Sequence, residues 1–593
     1  MEYILFFVAI IIGLILLDKL INRNAKKEFE EELKANWGKR NDEMISDEEF
    51  NRIRFYFDKT KGEYDIDDIT WNDLDMNTIY SKINRTNSYI GREFLYAMLR
   101  RQDFNKEHLI KKNSVIDMFS KKENIRRKIQ VALCNIGNKS DISVYEYLTR
   151  INDEESRTCL TSKVQDLLLL IAIILIVINN KFGLVLGLVM IAVNVATYYS
   201  HKARIAPYLS FFSYVIRMNR SLDDICTLDC EEIKDYQDRL EIIKKKLYKL
   251  RKRSFLLANS SISGGFFDMV MDYVKMLCHV DIMKFYSMLN VIKDNKEYIK
   301  EMYEILGEID SLSAVASFRE TLPYYCIPDF IDTKKYISDD SNLLVNSNEN
   351  SGKQHTPEDS EKGDENVLVG NITKYICEEV YHPLIENAVS NSIETEGSVL
   401  LTGSNASGKS TFIRTLALNA LLSQTIFTGI SKSYVAPFYQ IYSSMALRDN
   451  LLGGESYYMV EIKSLKRVLN TDTSKYPVLC FIDEVLRGTN TLERIAASAH
   501  ILGSIAKNNA LCFAATHDIE LTKILKHYYN SYHFREEVLE NDIKFDYKLY
   551  KGSAKSRNAI KLLSVIGYDK SIVNNATNMA GDFLENGVWE VID

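Results

Sequence analysis

The chain has 593 residues, about four domains' worth at the usual domain size, so burying several cores poses no difficulty. With 74 Lys+Arg against 81 Asp+Glu, a formal net charge of −7, it is excluded from the proteins that hold nucleic acid through overall basicity, and any such contact must be local. Seven prolines, about 1.2% against a usual ~5%, favour long helices, and nine cysteines without a repeated close pairing form neither a disulfide framework nor a metal-ligand pattern.

Residues 1–20 predict an N-terminal membrane anchor, since Tyr3 to Leu17 is an uncharged apolar run. The run is short for a bilayer core of about 20 residues, and a signal peptide or a buried helix competes with it. Glu2 replaces the basic start of a signal peptide, and no small-residue cleavage site precedes Asp18 and Lys19.

Residues 47–163 read as the first part of a helical core, with apolar residues three and four apart in stretches such as Tyr89 to Leu99. Residues 164–198 hold two apolar stretches, Leu167 to Ile178 and Phe182 to Thr197, divided at Asn179-Asn180-Lys181. They read as a transmembrane hairpin, or else as a hairpin buried in a soluble core. Lys19, Arg23, Lys26 and Lys27 follow the first segment, Arg150, Arg157 and Lys163 precede the hairpin, and Lys202 and Arg204 follow it. The positive-inside rule then predicts a multi-pass protein of the cytoplasmic membrane, with the core and C-terminal parts in the cytoplasm and the lipid bilayer as a partner.

Residues 199–322 continue as long helical patterns, the second part of the core. Glu232 to Arg253 ends in a basic run that begins Lys244-Lys245-Lys246, either a solvated helix face or a contact for the phosphate of nucleic acid or lipid. Residues 339–366 predict a disordered acidic insertion: eight acids and two lysines give it a net charge of −6, almost all of the chain's −7. In the C-terminal region, 323–593, β-rich runs alternate with helical patterns from residue 367 onward, the signature of an α/β layer.

The strongest chemical signal is Gly403-Ser-Asn-Ala-Ser-Gly408-Lys409-Ser410-Thr411, which fulfils G-x-x-x-x-G-K-[ST] between a short apolar strand, Ser398 to Thr402, and a helical pattern from Thr411 to Leu422. Backbone N–H groups of such a loop and the helix N-terminus cradle phosphates. Lys409 is expected on the β- and γ-phosphates and the Ser410 hydroxyl on Mg²⁺, with Gly403, Asn405, Gly408 and Thr411 completing the ATP-binding loop. A second strand, Val478 to Ile482, delivers Asp483 and Glu484, one carboxylate for Mg²⁺ and one to orient the attacking water. A third, Leu511 to Thr516, ends at His517, placed to sense or stabilise the γ-phosphate.

With these residues in hand, the chain resembles the MutS family of ABC-type ATPases. His382-Pro-Leu-Ile-Glu386, the phosphate loop, Glu455-Ser456-Tyr-Tyr-Met-Val-Glu461, Asp483-Glu-Val-Leu-Arg-Gly-Thr-Asn490 and Ala515-Thr-His517 follow in the family's order. Upstream, Ile79-Tyr-Ser-Lys-Ile-Asn-Arg-Thr86 with Gly91 and Leu95 resembles the start of the family's core domain, and Gly307-Glu-Ile-Asp-Ser-Leu-Ser-Ala314 the close of its lever helices. The resemblance implies an α/β ABC-type P-loop ATPase domain joined to a mostly α-helical core (lever) domain, here with about three transmembrane helices. It also implies a homodimer in which Ser456 of one subunit closes on nucleotide held by Lys409 of the other, C-terminal helices that help the subunits pair, and DNA as a partner. Three departures stand out: no mismatch-reading domain is expected before the core, no Phe-x-Glu wedge stands in a suitable position, and Leu486 stands where the family usually has glycine. The leading expectation is a membrane-anchored ATPase coupled to DNA. The alternative is a membrane-associated, ATP-switched scaffold or sensor acting on a protein or lipid; half of an ABC transporter is disfavoured by its few short spans.

Overall fold

A computed structural model describes residues 28–140, 142–153, 160–178, 180–248, 250, 276–331, 374–404, 407–445, 457–487, 489–538, 543–554, 559–589 and 591–592. The chain divides into two compact units, drawn from Met1–Gly62, Tyr80–Met98 and Ile110–Thr321 for the first and from Glu63–Ile79, Leu99–Leu109 and Leu322–Asp593 for the second. The expected anchor at 1–20 and acidic insertion at 339–366 lie outside the described residues.

The first unit is helical. Helix α1 (Asp47–Thr60) starts at Ser46, whose side chain accepts from Glu49 N, and three acids in its first turn suit the positive end of the helix dipole. After α2 (Asp68–Asp73), which belongs to the second unit, and α3 (Met76–Ile83) come α4 (Tyr89–Arg100), α5 (Lys106–Lys121), α6 (Glu123–Cys134) and α7 (Val144–Arg150). They are followed by α8 (Leu160–Ile178), the 47-residue α9 (Asn180–Cys226), α10 (Lys234–Lys246), α11 (Val280–Asp294) and the 26-residue α12 (Lys296–Thr321). Helix α12 is buried along most of its length and receives α4 at two glycines. A Cβ on Gly307 would stand 2.8 Å from Phe94 Cβ, so the two upstream segments singled out in the sequence meet here.

Buried Asp310 of α12 accepts from Asn87 N (2.8 Å), Asn87 Nδ2 (2.9 Å), Ser88 N (2.8 Å) and Ser88 Oγ (2.5 Å), which satisfies the start of α4. Glu93, fully buried on α4, meets Ser143 Oγ and Tyr303 OH at its two oxygens. Burial, only partly offset by those bonds, pushes its carboxyl up to about 8.

Helices α8 and α9 form the expected hairpin, packed so closely that a Cβ on Gly183 would lie 2.3 Å from Ile176 N. The expectation of a multi-pass membrane protein is overturned. Among the described residues one helical segment, Lys181–Lys202, is long and apolar enough to cross a membrane. The other arm falls short because Lys163, Gln165 and Asp166 occupy its first turns, with Asp166 bonded to buried His279 (Oδ1 to Nδ1, 2.8 Å). Its apolar part, Leu167 to Ile178, is about 18 Å of helix against a hydrocarbon core of about 30 Å. Among the described residues three transmembrane helices are therefore not found, and the orientation and lipid partner inferred from them lose their basis.

The helix expected to run from Glu232 to Arg253 instead ends at Lys246. Lys244 pairs with Asp223 at 2.6 Å and Lys246 lies over the Tyr298 ring, so part of the basic run is engaged within the unit. Lys249 and Arg251 to Arg253 lie outside the described residues.

The second unit is mixed α/β. Strands β1 (Asp329–Phe330), β2 (Tyr375–Val380), β3 (Asn391–Thr395) and β5 (Ser433–Ala436) make a sheet of order β1-β5-β2-β3. Strands β4 (Ser398–Thr402), β6 (Gln440–Ser444), β7 (Val478–Asp483), β8 (Ala510–Ala515), β9 (Tyr529–Val538) and β10 (Ile543–Lys551) make a second, of order β10-β9-β4-β8-β7-β6. It is parallel from β6 to β9, and only β10 runs antiparallel. Strands β4 and β7 are buried throughout, which is why they read as unbroken apolar runs. Helices α13 (Lys409–Ile426), α14 (Tyr457–Leu469), α15 (Thr491–Lys507), α16 (Glu520–Ile524), α17 (Ala559–Ile566) and α18 (Lys570–Asn586) complete the unit.

Edge strand β6 is covered by residues from far upstream. Thr70 Oγ1 accepts from Ser443 N (3.1 Å), Asp73 from Ser443 Oγ (2.7 Å) and Met445 N (2.9 Å), and Gln102 Oε1 from Ile441 N (3.0 Å). The donors an edge leaves open are thereby closed.

Candidate functional site

Strands β4, β7 and β8 are adjacent and parallel, so their carboxyl ends share one edge, where open α/β sheets place their ligands. From β4 the chain turns at Gly403 (φ 144°), and Gly408 (φ 104°) precedes the first residue of α13, Lys409. Both glycines need their freedom: a Cβ on Gly403 would stand 2.8 Å from Phe534 O, and one on Gly408 3.2 Å from Tyr547 Cδ1. Ser410 and Thr411 follow in the first turn of α13, and Asn405 lies outside the described residues. Lys409 is 4% exposed and donates to its own loop, to Gly403 O at 2.8 Å and Ser404 O at 2.7 Å. Burial lowers its pKa, countered by the nearby charges of Glu484 and Asp483.

Asp483 closes β7, and its Oδ1 is buried without a hydrogen-bond partner. Such an orphaned carboxylate oxygen suits a divalent cation. Glu484 follows with φ 56°, held at the strand end by its N–H to Ala515 O (3.0 Å). Its Oε1 meets His517 Nε2 at 2.7 Å, and its Oε2 pairs with Arg487. Burial raises the Glu484 pKa, but these two partners outweigh it and hold the carboxyl below its usual value, so it is ionised at neutral pH. The loop carrying His517 is tied down at the next residue, where Arg494 of α15 grips Asp518 with two bonds of 2.9 and 2.7 Å. Ser456 lies outside the described residues.

Beside the loop is a cavity of 590 Å³ lined by Lys409, Ser410 and Thr411 together with His382, Phe412 and Tyr547. Its size suits a ligand as large as a nucleotide. Asp483, Glu484 and His517 stand outside this lining, on the strand-end side of Lys409. Burial and Arg414 push the His382 imidazole down to about 4, which leaves a neutral ring on the cavity wall.

Residues 399–584, from β4 to α18, match the family model of MutS domain V. The chain is 30% identical over 298 residues to the DNA mismatch repair protein MutS of Thermotoga maritima, covering 49% of this chain and 33% of that protein. It is 32% identical over 200 residues to the protein of the same name from Thermus thermophilus (33% and 24%), and 31% over 233 residues to that of Clostridium botulinum (36% and 25%). Over this region the chain is similar to MutS proteins. These matches span about a third or less of the relatives' own length.

Within the MutS domain V region, sequence reasoning missed Tyr547. A register shift between Phe545 and Leu549 puts it at φ 54°, and Asn391 clamps the bulge, donating to Tyr547 O (2.9 Å) and accepting from Leu549 N (2.9 Å). The bulge sets its ring against the phosphate loop, and only the apolar alternation of Phe545, Tyr547 and Leu549 hinted at it in the sequence. At Leu486 the φ of 60° is the left-handed conformation that glycine adopts freely, so the leucine is held there against its own preference.

Proposed function

We propose that this MutS-like chain binds ATP with Mg²⁺, hydrolyses it, and couples the cycle to DNA as a homodimer, in the line of the mismatch repair for which its relatives are named. The observation that carries this reading is Glu484, ionised and oriented by His517 and Arg487 at a strand end beside the buried Lys409. In this reading Lys409 exchanges the Gly403 and Ser404 carbonyls for β- and γ-phosphate oxygens, and the N-terminus of α13 adds its dipole. Ser410 and Asp483 hold Mg²⁺, which supplies positive charge against the phosphates. Glu484 orients a water in line with the γ-phosphorus and receives its proton as the bond to the bridging oxygen breaks; His517 steadies the γ-phosphate and the Glu484 carboxylate together. Tyr547 offers a face for the adenine. The resemblance supports completion of the site in the dimer by Ser456 from the opposite subunit.

The test is ATP hydrolysis by the purified full chain, alone and with duplex, mismatched or branched DNA over a salt series. The reading expects magnesium-dependent turnover that DNA alters, and DNA affinity that falls steeply with salt. Absence of hydrolysis rejects the enzymatic part; unaltered turnover together with no DNA binding at low salt rejects the DNA part.

A further inference from the structure

Glu461 lies on α14 and has no role in the chemistry above. It is 3% exposed, and its Oε1 accepts from the N–H of Leu486. Burial raises its pKa, only partly offset by the backbone N–H groups of Leu486 and Arg487, while its Oε2 is buried without a hydrogen-bond partner. A buried carboxylate is costly to desolvate, so one aimed at a backbone turn calls for a reason in that turn.

The turn is strained. Glu484 (φ 56°) and Leu486 (φ 60°) both occupy the left-handed region, which L residues rarely adopt and a branched side chain tolerates poorly. Such conformations persist where the surroundings over-determine them. Two features do so here: the Leu486 side chain is packed into the core with Leu465, Val485 and Leu502, and Glu461 takes the Leu486 N–H from the other side. Were that N–H released, the turn would relax toward ordinary φ values and carry Glu484, two residues earlier, away from His517.

We propose that Glu461 is the positioning residue of the Glu484 carboxylate, pinning the left-handed turn at Leu486 from helix α14. The proposal rests on reading Glu484 as the hydrolytic carboxylate and deepens it.

The test compares two near-isosteric variants of the full chain, Glu461→Gln, which keeps an acceptor for Leu486 N, and Glu461→Met, which fills the space without one. Steady-state ATP hydrolysis and amide hydrogen exchange are measured for both. In Glu461→Met, kcat falls by on the order of tenfold or more, with KM for ATP changed by no more than about twofold, because the group moved acts after binding. Exchange rises at Leu486 and Arg487 but not along α14. Glu461→Gln recovers most of the rate and the protection. A Glu461→Met chain with wild-type kcat, a Gln variant as impaired as Met, or exchange that rises along all of α14 overturns the proposal. A wild-type chain without ATP hydrolysis overturns the hydrolytic reading instead, and exchange at Leu486 and Arg487 in the two variants still decides whether Glu461 pins the turn.

Discussion

The carboxylate of Asp310 occupies the place where a side chain on residue 91 would stand: a Cβ added to Gly91 would lie 2.2 Å from its Oδ2. The carboxylate cannot retreat without abandoning the amides of Asn87 and Ser88. Gly91→Ala is therefore expected to destabilise the helical unit by about 1–3 kcal/mol or more, as overpacking of a full core does. Gly581→Ala is the control: residue 581 is an exposed position inside α18 with nothing within 4 Å, so alanine there is neutral or stabilising by up to about 1 kcal/mol. Urea unfolding of both variants checks the contrast.

Glu93 makes stability depend on pH. Its folded pKa of about 8 lies above the ordinary 4.5, so between those values the folded chain holds a proton that the unfolded chain has lost. Its contribution is complete below about pH 4.5 and declines as pH rises toward 8. Glu93→Gln, uncharged at every pH, is expected to flatten that decline, read as the change in urea midpoint between pH 5 and 9.

Lys409 and Glu484 are expected to separate binding from turnover. Lys409→Ala removes the only ammonium that donates to the phosphate loop among the described residues and should abolish binding of a fluorescent ATP analogue. Glu484→Gln preserves the shape of the turn but cannot take a proton; it should bind nucleotide normally while kcat drops by about 10²–10⁴. Normal hydrolysis by the Gln variant would refute the assignment of the base.

Tyr547 is expected to contribute to nucleotide binding in proportion to its ring. Tyr547→Ala should weaken the Kd by about tenfold, the usual worth of one base stacked on an aromatic, and Tyr547→Phe should restore it. Titration calorimetry with ADP reads both, and equal affinities for all three proteins would remove Tyr547 from the site.

How much of this was legible in the sequence depended on how local the cause was. Strand β4, the loop to Lys409, helix α13 and strands β7 and β8 were readable because a buried parallel strand is a continuous apolar run and the phosphate loop has fixed spacing. Tyr547 and Glu461 were not, since one depends on a bulge clamped by Asn391 and the other on a contact with a turn reached only after folding. The apolar hairpin was legible as two helices but misread in its setting, because nothing in Leu167 to Ile178 announces that Asp166 is bonded to His279. Residues 63–79 and 99–109 carry helix-like patterns that do not reveal which unit they complete.

That last point bears on any attempt to isolate the C-terminal domain. A fragment beginning at residue 322 would retain the phosphate loop and all the carboxylates yet lose Thr70, Asp73 and Gln102, and with them the cover over the β6 edge. It would also free Arg467 of α14 from Asp67. Its bare strand would be open to pairing with a second copy, so association of such a fragment would report the cut and not the proposed dimer of the full chain. The C-terminal half of this chain is continuous in its motifs but discontinuous in its sheet.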